Sequence, residues 1–327
     1  MEKHQIIRNV KKNKRIASEP GYRDLGAVLL FIFLFPYLIS FLFKNTENIS
    51  GTVTEMEEGS YTVCNSTEAG MEKIPLESYL INRLSSTINM EYEPETLKAQ
   101  AVVLRTELIR EYYNNQKENK CIYVATTLAQ VDEKTYEKCK KAVTDTIGMY
   151  MTYEGYPIMA PYCAISAGMT RNAKEVFNSE EYPYLKSVRC ERDFSAENYM
   201  QIIRINKLEF LNQLENICPG ISSDINSLDK KDITDMVKVK RDRADYVMDM
   251  EIGKNVTSGE TFREKFSLNS ACFTVEQEKN EILLKTKGVG HGLGLSQFAA
   301  NEAAKRGSDF IDILNYFFTD IVIEKTE

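Results

Sequence analysis

The densest chemical pattern in the sequence is Lys287-Gly-Val-Gly-His-Gly-Leu-Gly-Leu-Ser-Gln297, in which four glycines alternate around a histidine. Glycine at this density brings backbone close to another group, or holds φ values that side chains resist. Three common uses of glycine-rich loops are excluded. A dinucleotide fingerprint needs glycine at 293 or 295, and both are leucine; a phosphate loop needs a Gly-Lys-Ser/Thr run, which is missing; a nucleophile elbow needs glycine where Phe298 stands. His291 is the only histidine beyond residue 25. An imidazole moves protons near neutral pH or binds metal, while a lone histidine serves more often as a structural group. The seven cysteines, Cys64, Cys121, Cys139, Cys163, Cys190, Cys218 and Cys272, include no Cys-x-x-Cys pair. They define neither a zinc ribbon nor a disulfide framework, so mostly buried thiols are expected, with room for one bridge.

Gly288–Ala300 resembles the terminal signature of the stage II sporulation protein D family and the related amidase-enhancer domains, typically Gly-x-Gly-His-Gly-x-Gly-Met-Ser-Gln-x-Gly-Ala. Three further segments agree in order. Pro75-Leu-Glu-Ser-Tyr-Leu and Tyr92-Glu-Pro-Glu-Thr-Leu-Lys-Ala-Gln-Ala-Val-Val-Leu-Arg-Thr106 are similar to the family's opening helices. Ser166-x-Gly-x-Thr-x-Asn-Ala173 and Tyr182-Pro-Tyr-Leu-Lys-Ser-Val188 resemble its central segment. Ser258-Gly-Glu-Thr-Phe-Arg263 and Leu268-Asn-Ser-x-x-Phe273 match the approach to the signature. The resemblance spans roughly residues 52–325. It implies a membrane-anchored lytic transglycosylase that cuts peptidoglycan glycan strands while a mother cell engulfs its forespore. In that chemistry one carboxylic acid protonates the glycosidic oxygen. As carboxylate it then assists the muramic 6-hydroxyl in attacking C1, leaving a 1,6-anhydro end, so a single acid/base group suffices.

At the position of that acid this chain departs from the family. Aligning Tyr79 and Tyr92 without a gap puts Thr87 where the family has its catalytic glutamate, and a hydroxyl is no acid near neutral pH. Glu91 and Glu93 stand one turn on as replacement candidates, although carboxylates beside a helix start also serve its dipole. Family position assigns substrate contacts to Lys98 and Arg105, seven apart on one stripe of a helix, and to Ser166, Tyr184, Lys186, His291, Ser296 and Gln297. Some members bind zinc through a histidine and nearby cysteines. Here the histidine position falls in Tyr162-Cys-Ala-Ile165, so no cofactor is expected, and Cys163 is left as a soft ligand only if another thiol such as Cys190 is near.

The elements that must position these groups read as α+β. Leu76, Tyr79, Leu80 and Leu84 recur at helical spacing. A second helix opens at Pro94 and runs through Leu97, Ala101, Leu104, Leu108 and Tyr112. Residues 149–165 alternate as strand, Glu154-Gly155 turn and strand. Strands are expected at Met200–Ile205, Val237–Val239, Val247–Ile252 and Ile282–Lys285, and helices at Leu208–Asn216, Leu295–Arg306 and, capped by Ser308, Asp309–Phe318.

The chain of 327 residues carries a net charge of −7, unevenly distributed. Residues 1–25 hold seven Lys/Arg against Glu2, Glu19 and Asp24, a balance of +4, and the other 302 residues hold 34 basic and 45 acidic groups, a balance of −11. Between these parts, residues 26–43 contain no charge and span about 27 Å as a helix, nearly a hydrocarbon core. The sequence therefore predicts a cytoplasmic tail (1–25), one transmembrane helix (26–43), a juxtamembrane linker and first strand (44–72) and a single exported α+β domain (73–325) with a glycan-binding cleft. With no small-x-small site after Phe43, the segment reads as an anchor rather than a cleaved signal. An acidic domain excludes nucleic acid as a partner. Three functions stay open. One is a wall-binding protein of an engulfment or other wall-remodelling complex, facing the forespore from the mother-cell membrane, with weakened catalysis. The second is an active transglycosylase using Glu91 or Glu93, and the third an interaction domain without glycan contact.

Overall fold

The computed structural model describes residues 61–67, 70–114, 121–124, 131–219 and 232–326. The apolar segment 26–43 lies outside the described residues, and among those described no helix is long and apolar enough to cross a membrane. The chain enters through strands β1 (Thr62–Thr67) and β2 (Gly70–Pro75) and helices α1 (Leu76–Ser85) and α2 (Pro94–Asn114). Strand β3 (Cys121–Val124), helix α3 (Glu133–Asp145), strands β4 (Met149–Tyr153), β5 (Tyr156–Pro157) and β6 (Tyr162–Cys163) and the short helix α4 (Ala173–Phe177) follow. Next come β7 (Met200–Asn206), α5 (Lys207–Leu214), β8 (Val237–Arg241), β9 (Val247–Ile252), β10 (Asn255–Ser258) and α6 (Gly259–Lys265). The chain ends with β11 (Phe273–Glu278), β12 (Glu281–Lys287), β13 (Leu295–Ser296), α7 (Gln297–Ala304), α8 (Phe310–Phe317) and β14 (Val322–Lys325). The α+β expectation holds, and the N-terminal cap expected at Ser308 is corrected by one residue: Asp309 is the cap, its carboxylate accepting from the Asp312 N–H at 2.8 Å.

Three cores organise these elements. In the first, Leu80 and Leu84 of α1 meet Leu97, Ala101 and Leu104 of α2 and Val143 of α3, all buried. The helical spacing seen in the sequence supplies this contact, because residues three and four apart share a face. The opposite face of α2, through Ala99, Val102 and Val103, packs on Met151 of β4 and on Leu314 and Phe317 of α8. Helix α2 is therefore covered on both sides and fixes the groups at its N-terminus. The third core is aromatic: Phe210, Phe262, Phe266 and Phe273 stack between sheets β11-β12-β7 and β10-β9-β8, with Phe262 and Phe273 ring centroids 4.7 Å apart.

Strand β1 pairs antiparallel with β2 and parallel with β3, and Cys64 and Cys121 form a disulfide across the parallel pair. The other five cysteines are free and buried. The bridge closes a separation of 57 residues, for which loop-entropy reasoning gives a stabilisation of about 4 kcal/mol. Replacing both cysteines by serine is therefore expected to lower the thermal midpoint by several degrees, and added reductant should move the wild type to the same value. A midpoint indifferent to reductant would show that the strand pair is held without the bridge.

Candidate functional site

The glycine signature forms the loop between β12 and β13. Gly288, Gly290, Gly292 and Gly294 all have φ between +68° and +110°, the left-handed range. Space is equally decisive at two of them, since a Cβ at Gly294 would overlap the Pro161 carbonyl and one at Gly292 the Tyr246 ring. The loop lies along the segment that follows β5. Ile165 and Val289 exchange backbone hydrogen bonds at 3.1 and 2.7 Å, β13 runs parallel to β6, and the Phe298 N–H donates to the Ala164 carbonyl at 3.0 Å. On the other side the Arg171 N–H donates to Gly292 at 2.8 Å, while its guanidinium pairs with Asp242 and Glu260 at 2.6 and 3.2 Å.

His291 sits half-buried in this loop. Its Nδ1 accepts the Leu293 N–H at 3.0 Å, and the ring makes a second hydrogen bond to the Tyr162 backbone. Desolvation pushes its pKa down to about 4, with Arg263 and Arg171 adding to the effect and Glu260 opposing it. The ring is thus neutral at pH 7 and holds the turn, a structural use of the signature histidine.

Beneath the loop lies a buried carboxyl that the sequence reading does not single out. Asp193, in the 3-10 turn Glu191–Ser195, accepts the Ser166 N–H at 2.7 Å and the Ser296 hydroxyl at 2.8 Å through one oxygen. Its other oxygen is buried and has no hydrogen-bond partner among the described residues. Burial pushes its pKa up to about 6, against the hydrogen bonds from Ser166, Ser296 and the Ala299 N–H. The only signal for it in the sequence is its place five residues beyond Val188 of the central motif.

This shift has a measurable sign. The folded state keeps a proton on Asp193 that the unfolded chain, with an ordinary value of 3.8, gives up earlier. The ionised side chain therefore weakens the fold as pH rises from about 4 through 6. Asp193→Asn removes that penalty, so the variant is expected to exceed the wild type by up to about 3 kcal/mol at pH 8 and to match it below pH 4. Urea unfolding at the two pH values checks this. Equal stability at pH 8 would mean that the hydrogen bonds from Ser166 and Ser296 already offset the desolvation.

Thr87 lies just past the end of α1, half-buried. Its hydroxyl donates to the Leu84 carbonyl at 3.0 Å, and its own carbonyl accepts from Gln297 Nε2 at 2.7 Å. Gln297 also donates to Gln100 Oε1 at 3.2 Å, and Asn301 accepts the Glu93 N–H at 2.8 Å. The N-terminus of α7 thereby joins two clusters. Gln297 holds Thr87 and the first turns of α2, and its neighbour Ser296 holds Asp193, which in turn holds Ser166.

Other residues singled out in the sequence have partners elsewhere. Arg105 is fully buried, with its guanidinium bidentate on Glu77 at 2.6 and 2.8 Å and on the Met149 carbonyl at 3.0 Å. This corrects its reading as a sugar contact, because no face of the group reaches solvent. Tyr184 is likewise buried, its hydroxyl accepting the Met159 N–H at 2.9 Å. Lys98 bridges Glu95 and Asp145 at 2.7 and 3.6 Å, and exposed Lys186 lies 3.5 Å from Asp320. Glu93 is exposed at the start of α2. Glu91 is exposed and hydrogen-bonded to Lys138 at 3.0 Å, and that lysine holds its carboxyl below the usual range, the wrong direction for a proton donor.

Burial pushes the Cys163 thiol well above its ordinary value and Cys190 up to about 12, so both stay protonated. Among the described residues no three His, Cys, Asp or Glu side chains stand together as a metal-ligand set. No histidine stands in the run Tyr162–Ile165 to complete the zinc arrangement with these thiols.

The chain is similar in sequence to known proteins. A family profile described as "Stage II sporulation protein" matches residues 65–153. The chain is 30% identical over 286 residues to stage II sporulation protein D of Bacillus subtilis (strain 168), covering 82% of this chain and 80% of that protein. It is 29% identical over 334 residues to the protein of the same name from Bacillus amyloliquefaciens, covering 97% of this chain and 89% of that one. An uncharacterised protein of Brachyspira hyodysenteriae is 26% identical over 268 residues, covering 79% and 69%.

Proposed function

The chain belongs to the stage II sporulation protein D family, and from that premise we propose that it is a membrane-anchored sporulation protein whose groove binds peptidoglycan glycan strands with weakened lytic transglycosylase activity. The observation that carries this reading is the replacement of the acid position by Thr87 within an otherwise assembled site. Gln297, Ser296, Ser166 and the first turns of α2 converge behind Thr87; Ser166 and Ser296 are fully buried and Gln297 nearly so, which corrects their reading as direct substrate contacts and leaves them to fix the backbone that a strand would meet. What the site lacks is the proton. Thr87 spends its hydroxyl on Leu84, Glu91 is held ionised by Lys138, and Asp193 is fully buried. Loss of a positioned general acid typically costs about 10²–10⁴-fold in rate. The anchor in this reading is the apolar segment 26–43, with residues 1–25 cytoplasmic and the domain exported toward the wall.

The net charge of −7 gives no bulk attraction to an anionic wall, so binding rests on local hydrogen bonds and ring stacking and weakens only modestly with salt. Co-sedimentation of the full-length chain with purified, de-acylated peptidoglycan tests the reading, with mass spectrometry of the soluble products. Retention on the wall with 1,6-anhydro ends at background supports it. Failure to sediment at 50 and 300 mM salt (roughly the range over which screening changes most) would end it. Abundant anhydro ends that vanish in Asp193→Asn would move the acid to Asp193.

A further inference from the structure

The 3-10 turn Glu191–Ser195 turns Asp193 inward and its neighbour outward: Phe194 is 57% exposed although it adjoins the most buried carboxyl of the site. The ring is exposed but well supported. It lies over Gly168, whose φ of +99° and missing side chain make the room, since a Cβ there would overlap the ring. Tyr199 packs edge-to-face on it at 5.3 Å and 78°. Tyr199 is itself fastened to both halves of the site. Its hydroxyl donates to the Ala167 carbonyl at 3.2 Å, and its carbonyl accepts the Gly288 N–H at 2.7 Å.

We propose that Phe194, braced by Tyr199 and Gly168, is a stacking subsite for one pyranose ring of a β-1,4-linked N-acetylhexosamine strand. The inference rests on the glycan reading given above and deepens it. A large apolar ring left in water forfeits about 25 cal/mol for each Å² it could bury. Held in place beforehand, it loses little entropy when a partner covers it. The C–H face of a pyranose is an apolar disc of matching size, and the amide and hydroxyl groups at its rim can reach solvent. A sugar is favoured over a protein partner by continuity. The turn that presents Phe194 also carries Asp193, which holds Ser166 and Ser296, and the backbone that supports Tyr199 is bonded to the first glycine of the signature.

The chain has no tryptophan, so Phe194→Trp places a single indole reporter on the platform. Titrated with N-acetylglucosamine hexasaccharide, the full-length Phe194→Trp protein is expected to change its emission saturably, with affinity at least that of the wild type. Phe194→Ala, a truncation at a solvent-facing position, is expected to bind the hexasaccharide about tenfold or more weakly by calorimetry, the loss typical of a central aromatic contact. Two failures are distinguishable. Wild-type binding that Phe194→Ala leaves intact, with an unchanged Phe194→Trp spectrum, would overturn the platform alone. A wild type that binds neither hexasaccharide nor purified wall would overturn the glycan reading and the platform with it.

Discussion

Replacing Thr87 with glutamate is expected to raise the yield of 1,6-anhydro ends from purified glycan strands at least about 10²-fold over the wild type, the lower end of what a positioned general acid supplies. That factor corresponds to about 2.7 kcal/mol of barrier. Position 87 can accept the change. It lies beyond the last residue of α1, its backbone N–H already donates to the Leu84 carbonyl at 3.1 Å, and its side chain is half-buried. A carboxyl there would be two bonds longer than the hydroxyl and free of the Leu84 carbonyl. Gln297, which grips the Thr87 carbonyl, would hold the backbone in place. Mass spectrometry of the soluble products reads the result. Yields unchanged in a folded, wall-binding Thr87→Glu protein would show that the acid's place is elsewhere in the groove.

Arg105→Met should be the most destabilising substitution described here, by about 3–5 kcal/mol, because it leaves the Glu77 carboxylate buried without its cation. The side chains of this pair are 0% and 7% exposed, and Glu77 also receives the Gly148 N–H at 3.2 Å. Three segments therefore depend on it: α1, α2 and the turn into β4. Removing both charges, as in Glu77→Leu with Arg105→Met, is expected to recover much of the loss, since a well-packed apolar pair avoids the desolvation cost altogether. Urea midpoints of the single and double variants decide the matter. A single variant within about 1 kcal/mol of wild type would mean that water reaches the carboxylate, contrary to its burial. Because α1 leads directly into Thr87, the double variant also asks whether the pair is needed for anything except stability.

The local elements were legible because their causes are local. Leu76, Tyr79, Leu80 and Leu84 made one helical face, Pro94 opened the next helix, and Glu154-Gly155 turned the hairpin of β4 and β5, where both residues have positive φ. Helix α3 was not anticipated, although its boundary signal was present: Asp132 caps it by accepting the Thr135 N–H at 3.0 Å. Cysteine spacing was silent about Cys64 and Cys121, since spacing says nothing about which strands will pair.

Assignments of role divided along the same line. Reading Arg105 and Tyr184 as surface contacts took a helix stripe and a motif position as guides, whereas α2 is covered on both faces and leaves no exposed stripe there. His291 was found from its glycine setting, but its neutral state follows from desolvation by packed neighbours.

By itself the sequence determined the family, the α+β class, the left-handed glycines of the signature and a threonine at position 87, all matters of residue identity and short-range periodicity. Only the tertiary structure decided that Gln297 holds Thr87 across 210 residues, that Ser296 and Ser166 converge on Asp193, and that Arg105 belongs to the core. Those pairings depend on burial and on strand order. Both emerge only when distant segments exclude water together, because a charge or a hydroxyl has no fixed role until its surroundings set the cost of leaving it unpaired.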